Sequence, residues 1–508
     1  MSSETKPPVR VLIVGGGTAG WMTAAALSRL LPPGAADIQL VESLQIGTIG
    51  VGEATVPHIR FFNAKLGIDE ADFMAKTRAT FKLGIEFRNW SRQGDSYIHP
   101  FGAYGEDLAG IAFHHHWLKA QKTDDASPIE SYSLPIVAAR QNKFTHPDQT
   151  PGSPLGSYSY AYQFDASLYA AYLRQFAEKN GVKRIEGKIS DVQCNSENGY
   201  VESVTLENGD RITADLFVDC SGFRGLLIEQ TLKAGYEGWK QWLPCDRAVA
   251  VPCETAGPLT PYTRTTAHQC GWFWRIPLQH RVGNGHVYSS DFCSDDKAEN
   301  DLLDQLEGEP LSDPFRLRFS TGIRRKQWSK NVVSIGLSSG FIEPLESTSI
   351  HMIQLAIGYL IDLFPGHSRD DMNETEFNRI MRLEYERIRD FLILHYHATE
   401  RDDTPFWDHC RTMQVPDSLQ ERMDLFRERG IVADYREGMF LDASWIAVFL
   451  GQRIIPASYD PRVDQLSPAQ LGNALNSIQN QYQVAVNDMP LQADVLQSMG
   501  ADYRQLAP

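Results

Sequence analysis

Two short apolar runs, at residues 11–14 and 38–41, flank an alanine-rich stretch of helical pattern at roughly 21–31. Uninterrupted runs of this length read as strands buried on both faces, so a parallel strand–helix–strand unit is predicted. Further on the pattern changes. Phe81, Leu83, Ile85 and Phe87 alternate with Thr80, Lys82, Gly84 and Glu86, the period-two signature of a half-buried strand. Residues 91–155 are rich in Gly, Pro, His and aromatics and predict irregular structure with short elements, of the kind that builds a cavity.

Residues 164–180 predict a helix stopped by Gly181, followed by strands at 182–194, 201–206 and 211–219. Asn198-Gly199 and Asn208-Gly209 link those strands as turns. The last strand runs into Asp219-Cys-Ser-Gly-Phe-Arg-Gly225, a second strand-to-glycine-loop junction. Residues 245–320 read as β-rich, 331–336 as another buried strand, 350–364 as a long apolar helix and 374–430 as mostly helical, while the last 50 residues carry no clear pattern. The whole is α/β with interleaved domains. Residues 1–90, 156–244 and 320–365 are expected to form a nucleotide-binding domain, and 91–155, 245–319 and 366–508 a substrate-binding and helical domain.

A chain of 508 residues with 42% hydrophobic and 22% charged content has ample core for this. A net charge of −16 argues against nucleic acid or an anionic membrane as partner. The polar N-terminus predicts no signal peptide, and no apolar stretch of transmembrane length is found. Seven scattered cysteines without a C-x-x-C pair fit free thiols in a reducing cytoplasm. His114-His115-His116 has no further ligand at metal spacing, and His395 and His397 sit in a helical pattern, so no metal is expected.

The first apolar run ends in Gly15-Gly-Gly-Thr-Ala-Gly20. In a G-x-G-x-x-G loop, Gly15 permits the tight turn, Gly17 lets the backbone approach a pyrophosphate, and Gly20 lets the helix pack close to the strand. The helix N-terminus offers amides to the phosphates, and Glu42, about 20 residues beyond the last glycine, stands where an acid accepts from a ribose. This order of features predicts an adenine-dinucleotide site.

Three other segments carry more polar or aromatic detail than packing requires. Lys82 lies on the polar face of the alternating strand, where alternation alone makes it a solvated lysine. Glu346, in Glu343-Pro-Leu-Glu346-Ser-Thr-Ser349, stands before a helix that Ser347 or Thr348 can cap. It is either an exposed loop glutamate or part of an anion-binding helix mouth. Trp272, Trp274 and Ile276 share one face of a strand, which core packing also explains.

The glycine loop with Trp21 behind it, Val51-Gly-Glu-Ala-Thr-Val-Pro57, Thr80-Phe-Lys82, the W-x-W-x-I-P box from Trp272 to Pro277 and Pro344-Leu-Glu-Ser-Thr348 together resemble the tryptophan-halogenase family of flavin-dependent halogenases, from about residue 9 to 461. The resemblance implies a Rossmann-like, flavin-monooxygenase-type domain that holds FAD through Gly15, Gly17, Thr18, Ala19, Gly20, Glu42, Ala54, Gly336 and Leu345. It implies that reduced FAD (FADH2), oxygen and chloride or bromide yield hypohalous acid. That species reaches Lys82, which forms a haloamine or hydrogen-bonds the acid and directs it at an aromatic carbon. Glu346 would polarise the halogenating species or take the ring proton. Thr348 and Ser349 would hold the halide, Trp272 and Trp274 would keep substrate from the flavin, and His99 and Phe101 would match an aromatic sandwich around the substrate ring, although loop packing also accounts for that pair.

A separate NAD(P)H-dependent flavin reductase is implied as partner, and a homodimer is compatible. Two departures bear on the substrate. Ser349 replaces the glycine usual after the motif threonine, and Gly438-Met-Phe-Leu-Asp-Ala-Ser-Trp445 does not match the tyrosine- and glutamate-bearing segment that grips tryptophan. Indole or another aromatic is therefore as good a substrate reading as tryptophan. The competing function is an aromatic hydroxylase, a flavin-dependent monooxygenase.

Overall fold

The computed structural model describes residues 7–46, 52–123, 126–148, 150–365, 371–433 and 438–501. Val51 of the glycine-glutamate motif lies outside them, as do the first six residues. The chain divides into two compact units, one of Met1–Arg78, Phe164–Lys240 and Phe319–Glu386, the other of Ala79–Gln163, Gln241–Arg318 and Arg387–Pro508.

The first unit is built on a six-stranded sheet in the order Trp328–Ser329, Val332–Ser334, Leu216–Asp219, Val9–Val14, Ala36–Glu42, Lys183–Glu186. All its pairings are parallel except that of the first two strands. Leu12, Ile13, Leu40, Phe217 and Val218 are fully buried, as parallel strands covered on both faces must be. The helix Thr18–Leu30 buries Ala24, Ala25 and Ala26, small enough for close packing, and lies against the helix Ala166–Lys179. The antiparallel meander Ile189–Cys194, Val201–Leu206, Arg211–Thr213 leads back to Leu216–Asp219, which pairs directly with the first strand. The helix expected from residue 164 starts at Ala166 instead, because Asp165 caps it by accepting from the amides of Ser167 and Leu168.

The second unit carries a seven-stranded sheet: Phe315–Arg318, Arg247–Cys253, Val282–Tyr288, Gly271–Pro277, Thr263–His268, Gly84–Arg88, Ser96–Pro100. Only the pairing of Thr263–His268 with Gly84–Arg88 is parallel. The segment Thr80–Arg88, grouped by sequence with the nucleotide-binding part, lies in this unit as two strands, Thr80–Lys82 paired with Ala161–Asp165 and Gly84–Arg88 in the seven-stranded sheet. Nor is it half-buried. Thr80, Lys82 and Glu86, the polar half of the alternation, are as buried as the apolar half. Each polar group is answered: the Thr80 hydroxyl donates to Pro277 O at 2.7 Å, and Glu86 accepts from Arg140 (2.6 Å), Arg88 (2.9 Å) and Arg264 (3.4 Å). Polar residues on a strand signal solvent only when no partner waits for them.

The unpatterned C-terminus contains the helix Pro468–Asp488, opened by a capping box between Ser467 and Gln470, and the helix Gln492–Ser498. Leu471, Leu475, Ile478, Tyr482 and Val486 form its buried stripe, packed on the helices Phe113–Gln121 and Leu134–Arg140. Among the described residues, no helix is long and apolar enough to cross a membrane.

Candidate active site

In the first unit the glycine loop is shaped so that only glycine fits. Gly15 has φ +114°, and a Cβ there would stand 2.3 Å from Cys220 O; one on Gly20 would stand 1.9 Å from Gly15 O. Gly17 is the N-cap of the helix, with no side chain capping it, so the amides at Thr18 and Ala19 open a helix mouth suited to a phosphate. Gly336, at φ +79°, brings a second loop against the same mouth, where its Cβ would meet the Ala19 Cβ at 2.8 Å. This floor of bare backbone at a helix N-terminus fits the pyrophosphate of FAD.

Gly16, given no task by the sequence reading, makes room for an acid: a Cβ there would fall 1.5 Å from Glu42 Oε2. Glu42 also accepts from Arg184 Nε at 2.5 Å and Trp21 Nε1 at 3.3 Å, with Arg174 at 3.7 Å. Its carboxylate is thus fixed beside the loop. Asp219 orders the other glycine junction, accepting from the amides of Ser221, Leu227 and Ile228 at 2.8–3.0 Å. Ala54 is buried at the end of the strand Gly52–Ala54, and burial pushes the neighbouring Glu53 carboxyl up to about 7.

Glu346 is fully buried in the turn Pro344–Glu346 beside buried Leu345, not exposed on a loop. Of the two hydroxyls expected to cap the helix, that of Thr348 does not. Thr348 is the N-cap of the helix Ser349–Asp362 but has helical dihedrals and makes no side-chain cap bond, and Ser347 takes the left-handed conformation at φ +60°. The N-cap residue thus leaves the helix mouth at Thr348 and Ser349 without a cap from its own side chain. One turn on, the His351 ring lies 4.3 Å from that of His58, tilted by 48°, and among the described residues its buried Nδ1 has no hydrogen-bond partner. Burial, then His58, holds His351 well below the ordinary histidine value.

In the second unit Lys82 is fully buried, the reverse of a solvated lysine, and its Nζ lies 5.2 Å from the Phe101 ring centroid. Its strand is anchored on every side. Phe81 stacks on Phe144 at 3.8 Å and donates its amide to Gln492 Oε1 at 2.8 Å; Gln492 Nε2 donates to Leu259 O at 2.9 Å; Leu83 N donates to Pro261 O at 2.7 Å. Gln492 was not singled out by sequence, since it stands 411 positions from the residue it holds.

His99 and Phe101 lie edge to face, centroids 6.5 Å apart at 75°. His99 also touches Phe391 at 5.7 Å and Phe440 at 6.1 Å, two rings stacked at 3.8 Å. Trp272 and Trp274 are buried 6.2 Å apart; Trp272 Nε1 donates to the Tyr396 hydroxyl at 2.9 Å, and Trp274 lies over Gly285, where a Cβ would stand 2.1 Å from its ring.

The three adjacent histidines serve packing. His114 bonds Gly430 O at 2.7 Å, His116 bonds Leu108 O at 3.1 Å, and His115 Nδ1 accepts from Asp460 N at 3.3 Å. Among the described residues no His, Cys, Asp or Glu cluster could hold a metal, and the seven cysteines are free thiols.

Residues 10–468 match the family model described as tryptophan halogenase. Over 98% of this chain and 99% of the relative, it is 35% identical to tryptophan 6-halogenase SttH of Streptomyces toxytricini. It is 38% identical to tryptophan 7-halogenase RebH of Lentzea aerocolonigenes over 82% of each chain. Among solved structures it resembles BrvH, a flavin-dependent halogenase from Brevundimonas sp. BAL3, with a TM-score of 0.94 and 46% identity over 97% of this chain and 100% of that one.

Proposed function

The chain belongs to the tryptophan halogenase family of flavin-dependent, halide-using enzymes, and from that premise we propose that it halogenates an indole-type aromatic with Lys82 as the directing group. Gly15, Gly17, Thr18, Ala19, Gly20, Glu42, Ala54, Gly336 and Leu345 would hold the FAD. When bound and reduced, FAD supplies the chemistry by which oxygen turns chloride or bromide into hypohalous acid. A separate NAD(P)H-dependent reductase supplies the reduced flavin.

The observation that supports this reading is the buried Lys82 beside Phe101. A cation shielded from water and faced by an aromatic wall is suited to holding a small polar oxidant next to an aromatic ring. Lys82 donates a hydrogen bond to the oxygen of hypohalous acid and polarises the O–X bond. The ring π-electrons take the halogen as the O–X bond breaks, and the Lys82 ammonium gives its hydrogen-bonded proton to the departing hydroxide, so that the oxygen leaves as water; the Glu346 carboxylate would take up the proton lost from the ring carbon, and its return to the lysine resets both groups. The helix mouth at Thr348 and Ser349 suits a halide. Trp272 and Trp274 keep the organic substrate from the flavin, and His99 and Phe101 bound its ring edge to face.

The test combines FAD, a reductase, NADH and bromide with indole or tryptophan and compares wild type with Lys82→Ala and Glu346→Gln. Lys82→Ala is expected to lose halogenation while FAD titrates as in wild type. Glu346→Gln is expected to lower kcat by about 10²–10⁴, the scale of a lost general base. Undiminished product from Lys82→Ala would overturn the assignment.

A further inference from the structure

Two loops press on the glycine floor of the first unit. Cys220 follows the strand Leu216–Asp219, and a Gly15 Cβ would stand 2.3 Å from its carbonyl oxygen; Gly336 opens a turn that closes on Ala19. The strands leading into these loops, Leu216–Asp219 and Val332–Ser334, are parallel neighbours. The loops are joined near their start, where Asp219 O accepts from Ile335 N at 3.0 Å and from the Ser338 hydroxyl. Further out, the first loop passes through Gly225 into a π-helical turn, Leu226–Thr231, whose Leu227 and Ile228 amides donate to the Asp219 carboxylate. Turns of this kind are rare and often mark functional sites.

Arg324 joins the two loops a second time. It ends the strand Gly322–Arg324, the middle one of a three-stranded sheet with Tyr236–Gly238 and Gly340–Phe341. Its own amide donates to Ser339 O at 2.8 Å and its Nε to Ser338 O at 3.0 Å, so it grips the end of the Gly336 turn. Its Nη1 donates at 2.9 Å to Glu229 Oε2, on the π-helical turn, and that oxygen also accepts from Gly235 N at 3.0 Å. The fork is held still. Arg324 is buried, its guanidinium carbon lies 5.0 Å from the Tyr236 ring centroid, and Gly225, at φ +52°, leaves room where a Cβ would stand 2.9 Å from Nη2. Desolvation offsets much of the attraction in such an ion pair, so its net contribution to stability is small. What it supplies is geometry: a planar fork bonds two loops in different directions at once, which a single ammonium does not.

We infer that Arg324 is a positioning residue of the cofactor cradle, its guanidinium locking the Gly336 turn to the loop 220–231 so that both walls of the glycine floor are set before FAD binds. The inference rests on the reading of that floor as the FAD site, and adds that its affinity depends on how firmly the two loops are tied. A site ordered in advance avoids the cost of ordering it on binding.

The test titrates the protein with FAD by flavin fluorescence and follows amide hydrogen exchange in the FAD-free protein. Arg324→Met is expected to raise the Kd for FAD roughly tenfold, the scale of one lost charge-assisted hydrogen bond. Its amides at 226–232 and 336–340 are expected to exchange faster than in wild type, while those of Val9–Val14 and Ala36–Glu42 keep their wild-type rates. A merely structural role would lower the melting temperature and leave both the Kd of the folded protein and this local pattern unmoved. Arg324→Lys keeps the charge for Glu229 but not the second bond to Ser338 O, so its Kd should fall between those of wild type and Arg324→Met. Glu229→Gln, at a side chain 33% exposed, keeps an acceptor for Gly235 N and should shift the Kd in the same direction by less, which leaves the test open if Arg324→Met does not fold. A wild-type Kd in every folded variant overturns the inference. Failure of wild type to bind FAD would refute the reading of the floor instead, and exchange in the FAD-free protein would still decide whether Arg324 ties the two loops.

Discussion

Replacing Gln492 with leucine separates the positioning of Lys82 from its chemistry. Gln492 is fully buried and makes two bonds with one side chain: it accepts from Phe81 N at 2.8 Å and donates to Leu259 O at 2.9 Å. Phe81 immediately precedes Lys82, so this bond fixes the strand that carries the lysine. Leucine is close to glutamine in size and creates little cavity, but it leaves a buried N–H and a buried C=O without partners. Each such group costs about 1–3 kcal/mol, so Gln492→Leu is expected to lose about 2–5 kcal/mol of stability. Glutamate in the same place keeps the acceptor for Phe81 and, as the neutral acid, a donor to Leu259 O at the cost of burying a carboxyl, so its loss is expected to be smaller than leucine's. A displacement of Lys82 on the order of 1 Å costs about 10²-fold in rate. Urea melts give the stability ranking, and bromination kinetics with a flavin titration give the function. The predicted order for both stability and kcat is wild type, then Gln492→Glu, then Gln492→Leu, with FAD affinity unchanged because the cradle is built by other residues. A Gln492→Leu protein with wild-type stability and kcat would refute the idea that this side chain anchors the lysine strand.

Two further predictions follow from the packing and the charges. Gly285→Ala places a Cβ 2.1 Å from the Trp274 ring and is expected to cost about 1–3 kcal/mol as overpacking; Trp274→Leu in the same molecule should recover much of it, and strictly additive effects in a double-mutant cycle would contradict the contact. Glu53 has its carboxyl raised from 4.5 to about 7 by burial, so the folded state keeps a proton that the unfolded chain releases. Its stabilising contribution is fully present below 4.5 and falls away as pH rises through 7, by about 3 kcal/mol. Glu53→Gln should remove that fall, and parallel melting temperatures for wild type and Glu53→Gln from pH 4.5 to 8 would refute it.

The sequence was most informative where one short segment does a whole task. The strand, glycines, helix and acid of the dinucleotide loop stand within residues 9–42 and could be read in order, because a tight turn and a close backbone approach require glycine at particular positions. Burial of Lys82 was not legible. Alternation reports which residues share a face, not whether that face meets water, and here Gln163, Arg140, Arg264 and Pro277 arrive from distant segments to answer Thr80 and Glu86. The left-handed Ser347 was hidden for a related reason: Ser-Thr-Ser before a helix reads as a cap, and only the backbone shows that Ser347 is left-handed and that Thr348, the N-cap, makes no side-chain cap bond. The helix Pro468–Asp488 had a readable signature in Ser467, Gln470 and its apolar stripe, obscured by the many polar residues between.

The most direct measurement is the mass spectrum of the product formed from indole by wild-type protein with FAD, a flavin reductase, NADH, oxygen and bromide. The account predicts indole carrying the bromine isotope doublet, formed only when the reductase and bromide are both present. Hydroxylated indole without bromine from correctly folded, FAD-loaded protein would contradict it.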